Sequence, residues 1–123
     1  MGYRSHVVLA IAEPLVPQFM VTLAKSPEAR ALCFGDTDNH SRDFQGEKGS
    51  FFFEWHGIKW YDSYEPIQAL EDFMSWAADK HTIDGNEIDG DDHYRFVRIG
   101  EEYDDIETRG WGFEIHPVRS IEY

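Results

Sequence analysis

The chain has 123 residues, 41% hydrophobic and 15% aromatic, with a formal net charge of −13. That is enough apolar material for one packed domain over residues 1–123 and too much for a disordered chain. The charge excludes nucleic acid and anionic membrane as direct partners and favours cations or basic protein surfaces.

The charge is unevenly spread. Residues 62–107 carry fifteen carboxylates against three bases, Lys80, Arg95 and Arg98, and the rest of the chain is nearly balanced. The one cysteine, Cys33, excludes an internal disulfide and fits a reducing cytosol. Flanked by Ala31, Leu32 and Phe34, it reads as a small buried hydrophobe rather than a reactive thiol. No apolar run approaches the roughly 20 residues that span a bilayer. Neither a secretory signal nor a myristoylation motif is legible at the start, where His6 occupies the position that needs Ser or Thr. The expectation is a soluble cytoplasmic protein.

In chain order, residues 6–12 form an apolar run of strand length, closed by Pro14. Leu15, Phe19, Met20 and Leu23 recur at helical spacing, with Pro17 acceptable only in a first turn. Ser26-Pro27-Glu28 predicts an N-cap and a second short helix to about Phe34. Residues 35–49 are polar and Gly-rich and predict a long loop. Two aromatic runs, 50–55 and 58–61, flank His56-Gly57 and suggest a β-hairpin, with one bulged strand as the competing reading.

Asp62 or Ser63 is placed to cap a helix that carries Ile67, Leu70, Phe73, Met74 and Ala77 and fades near Lys80. An acidic loop, 82–92, then leads to a strand over 94–99, where basic and apolar residues alternate as they would with one wet face. After the acid cluster 101–107, residues 112–116 predict a last strand stopped by Pro117. The order β-α-β-β-α-β, with an extra C-terminal strand, predicts an α+β fold: a ferredoxin-like two-layer sandwich.

Three constellations bear on chemistry. Glu101, Glu102, Asp104, Asp105 and Glu107 could imitate a run of phosphates for a DNA-binding protein, with Tyr103, Trp60 and Trp111 as aromatic anchors. The plain alternative is a solvated, solubilising surface. The second acidic segment, with Asp89, Asp91 and Asp92, evokes a calcium loop but fails the EF-hand pattern, because Ile88 and Arg95 fall where ligands are required. The aromatic set of residues 51–64 is either covered by helices or exposed as a binding patch.

Little supports catalysis. No pair among His6, His40, His56, His81, His93 and His116 has structural-zinc spacing, so no metal and no cofactor are expected. There is no nucleophile elbow and no phosphate loop. Glu54 and Asp62 could act as an acid–base pair, but no pattern puts them in one cleft.

Residues 2–5 (Gly-Tyr-Arg-Ser), 58–64 (Ile-Lys-Trp-Tyr-Asp-Ser-Tyr) and 96–107 (from Phe96-Val97-Arg98-Ile99-Gly100 through the acid cluster) together resemble a family of small acidic proteins encoded by tailed bacteriophages. The resemblance brings no catalytic residues. It implies the cytoplasm of an infected bacterium and a role in blocking a host factor, such as a defence nuclease or another nucleic-acid-binding protein. The leading expectation is therefore a non-enzymatic protein that occludes a basic protein surface through Asp89, Asp91, Asp92 and 101–107. A self-associating accessory or assembly protein, such as a homodimer, and a small metal-dependent enzyme are the alternatives.

Overall fold

The computed structural model describes residues 3–102, 104–117 and 121–122. The fold is mixed α+β. One antiparallel sheet has the strand order β2-β3-β1-β6-β7, formed by Asn39–Arg42, Phe51–Ile58, Ser5–Ile11, Tyr94–Ile99 and Ile106–Arg109. Two small ladders accompany it: β4 (Lys80–Ile83) with β5 (Asn86–Asp89), and β8 (His116–Pro117) with β9 (Ile121–Glu122). No helix among the described residues is long and apolar enough to cross a membrane.

The apolar strand β1 lies at the centre, hydrogen-bonded to β3 on one side and β6 on the other. Because strand side chains alternate between faces, its residues divide between two cores. Val7, Leu9 and Ile11 point to the helical layer, made of α1 (Val16–Lys25), α2 (Pro27–Phe34) and α3 (Glu65–Ala77). There they meet Phe19, Leu23, Phe73 and Met74, with Phe53, Trp55, Tyr94 and Phe96 from the neighbouring strands. Val8 and Ala10 point the other way, where Phe52 and Val97 are covered by Phe113, Ile115 and Ile121.

Local signals explain the helices. Pro17 sits in the first turn of α1, where its missing N–H is not needed. Ser26 Oγ accepts from Ala29 N–H to cap α2, and donates to Glu65 Oε2 at 2.7 Å, joining the starts of α2 and α3. Cys33 is fully buried, and desolvation pushes its thiol up to about 12. The indole of Trp55 is buried in the helical core and donates to Leu32 O at 3.1 Å.

Several expectations need correction. The hairpin proposed around His56-Gly57 is a single strand, β3, with a bulge: Ser5 pairs with Ile58, Val7 with Trp55, and the extra residue lies between them. Gly57 supplies the positive φ (69°), and the bulge lets Trp55 and Ile58 face the same helical layer. The loop 35–49 contains edge strand β2, all of it exposed, whose pairing with β3 rests on main-chain bonds and needs no apolar pattern.

The acidic loop 82–92 is largely the hairpin β4–β5, turned by Asp84 and Gly85, which both have positive φ as a type I′ turn requires. The N-cap of α3 is Tyr64, with no side-chain cap, rather than Asp62 or Ser63. Strand β6 has no wet face: Arg95 is 7% exposed and Arg98 half-buried. The region 112–116 is mostly irregular, and Pro117 stands inside β8 rather than ending a strand. The aromatic run is covered: Phe52, Phe53 and Trp55 are buried, while Tyr64 remains exposed.

Candidate functional site

A cavity of about 680 Å³ opens on the helical side of the sheet, between the start of α3 and strands β6 and β7. Its wall takes Tyr3 and Ser5 from residues 2–5, Trp60, Tyr61, Asp62 and Ser63 from residues 58–64, and Arg98, Asp105 and Glu107 from residues 96–107. Only Glu71, on α3, comes from elsewhere. Three stretches far apart in sequence thus converge on one surface.

Arg98 organises its floor. The guanidinium grips Asp105 bidentately, Nη2 to Oδ1 at 2.9 Å and Nη1 to Oδ2 at 3.1 Å, and its Nε donates to Glu107 Oε1 at 3.1 Å. The cross-strand register makes the Glu107 contact, because Arg98 stands directly opposite it. Tyr3 O–H donates to Asp105 Oδ2 at 2.6 Å, and its oxygen accepts from Glu102 N–H at 3.0 Å. Hydrogen bonds from Arg98 and then Tyr3 hold the Asp105 carboxyl below its usual range, while Asp105 raises both Arg98 and Tyr3.

The aromatic wall is fixed in the same way. Trp60 packs on Phe96 and Trp55, at ring distances of 5.4 and 5.8 Å, and its Nε1 donates to Glu71 Oε2 at 3.2 Å. Arg109 holds the other oxygen of Glu71 at 3.2 Å. Three of the four wall carboxylates are therefore engaged, and Asp62, exposed, has no cation against it among the described residues. Just outside, Glu101, Glu102 and Asp104 are exposed without a described cation.

The expected binding residues separate into two groups. Asp105, Glu107 and Trp60 line the cavity, and Glu101, Glu102 and Asp104 are exposed in the turn that leads to Asp105; Tyr103 lies outside the described residues. Asp89, Asp91, Asp92 and Trp111 sit at the opposite end of β6, where Trp111 N–H donates to Asp91 O. Six residues of strand put about 20 Å between the two ends. Trp60 is half-buried and serves as a wall, not a projecting anchor, whereas Trp111 is 72% exposed. Its indole lies over Arg95 (5.3 Å), whose guanidinium donates to Ile115 O and Gly110 O.

Sequence spacing gave no hint of one further cluster. On the opposite face of the sheet, Glu54 Oε2 lies 2.6 Å from His6 Nε2 and 3.6 Å from His56 Nε2, and the two imidazoles stack at 4.2 Å. His56, expected in a turn, is in β3 beside the bulge. Asp62 is elsewhere, so Glu54 and Asp62 form no pair. Comparison with family models, with curated proteins and with solved structures returns no match for this chain.

Proposed function

We propose that this chain is a non-catalytic acidic binder that occludes a basic surface of another protein, with one Lys or Arg side chain of the partner entering the cavity walled by Tyr3, Trp60 and Tyr61. The observation that carries this reading is the convergence of the three segments on one aromatic, acid-rimmed opening. Aromatic faces attract a cation, Asp62 offers it a carboxylate, and Glu101, Glu102 and Asp104 supply the outer field that speeds encounter. Capture of a basic side chain fits this geometry better than imitation of a phosphate ladder, because the acids are grouped at two ends of β6 and Glu107 is tied to Arg98.

The strand order β2-β3-β1-β6, with antiparallel neighbours and helices on one face, supports reading the scaffold as ferredoxin-like with β7 added at an edge. The resemblance to phage proteins supports a host nucleic-acid-binding or defence protein as target, in the bacterial cytoplasm.

The test is capture from bacterial lysate by the wild-type protein and by a variant carrying Asp62→Asn, Glu101→Gln, Glu102→Gln and Asp104→Asn. A basic protein retained by the wild type, displaced by salt or competitor DNA and lost from the variant is the expected result. Equal retention by both overturns the reading. Association of the chain only with itself, insensitive to salt, would favour the assembly role instead.

A further inference from the structure

We propose that His6, Glu54 and His56 form a binding site for a divalent transition-metal ion of the zinc type. One ligating atom from each residue lies within 4.8 Å of the other two. An ion bound by imidazole nitrogen and carboxylate oxygen at about 2.0–2.2 Å holds its ligands roughly 3–4 Å apart. The His56–Glu54 distance of 3.6 Å already falls there; the His6–Glu54 distance of 2.6 Å has to open by a fraction of an ångström, and the exposed His56 ring has to turn out of its stack on His6 so that both in-plane lone pairs meet the ion.

The scaffold holds these groups firmly. His6 and Glu54 belong to the two central strands, with main-chain pairing to Ile99 and Val8, and Glu54 is 4% exposed. His56 is set by the bulge, and its main-chain N–H donates to Asp38 Oδ2 at 2.6 Å. Sites on paired strands keep the precision that metal coordination needs. Two imidazoles and one carboxylate suit zinc, cobalt or nickel and disfavour calcium and magnesium, which select oxygen donors. The His56 side chain is 59% exposed, so an ion can enter from solvent and water can complete its coordination.

The experiment is titration of untagged, chelator-treated protein with ZnCl2 and, separately, CoCl2, followed by calorimetry and by the visible absorption of protein-bound cobalt. One equivalent should bind, and calcium at the same concentration should not. His56→Ala, at an exposed position, should keep its circular dichroism and weaken binding by roughly tenfold or more. His6→Gln should do the same, and His116→Ala should leave binding unchanged. Failure to saturate at one equivalent, or equal binding by the wild type and His56→Ala, would overturn the proposal.

Discussion

Tyr3 and Asp105 meet across 102 positions of sequence, the phenol donating to the carboxylate at 2.6 Å. The contact ties the chain's first described residue to the turn between β6 and β7, and Arg98 completes the arrangement by gripping the same carboxylate.

Asp105 should therefore make stability depend on pH. Its carboxyl titrates below the unfolded value, so folding favours the ionised form; that contribution is full above the ordinary carboxylate range and disappears as pH falls through the folded value. Asp105→Asn should cost about 1–2 kcal/mol at pH 7. The gap between the two proteins in urea melts should narrow below about pH 4. A gap that stays constant with pH would contradict the ionic account.

Arg95 should resist its usual conservative replacement. Buried and without a carboxylate partner among the described residues, it donates to Ile115 O and Gly110 O and so holds down the segment that covers Val8, Ala10 and Phe52. Arg95→Lys cannot span both carbonyls, and the loss should be about 2–3 kcal/mol by chemical denaturation. Hydrogen exchange should show the covering segment opening first.

Cys33 should report global unfolding. With its thiol pushed up to about 12, only about one part in ten thousand is thiolate at pH 8, and the sulfur is out of contact with solvent. A thiol reagent should label the native protein far more slowly than a free cysteine, and denaturant should restore the rate. Fast labelling of the native state would mean that the α2 layer opens on its own.

Gly85→Ala should cost about 1 kcal/mol, since Gly85 has φ +80° and faces open space, leaving backbone strain as the whole penalty. Thermal melts would measure it.

Two kinds of element were legible in the residues alone. Helices α1, α2 and α3 carry apolar positions at helical spacing, and Ser26-Pro27 marks a start; β1 is a continuous apolar run, and the alternation in β6 revealed a strand although not that both of its faces are covered. Strand β2 was not legible, because an exposed edge is specified by its neighbour's main chain. Asp84-Gly85 is a strong turn signal, but the acids around it suggested a loop. The acidic field looked continuous along the sequence, yet β6 separates its two parts in space. The His6–Glu54–His56 cluster depends on which strands become neighbours, a tertiary fact that no local pattern carries.

The position of β1 also shapes how the molecule is made. Val8 finds its two partners at Glu54 and Val97, so the most apolar strand stays unpaired until distant parts of the chain arrive. Closing such large loops before any reward is slow. During that interval the strand's bare amides and valines invite pairing with another molecule, so refolding should lose yield as protein concentration rises.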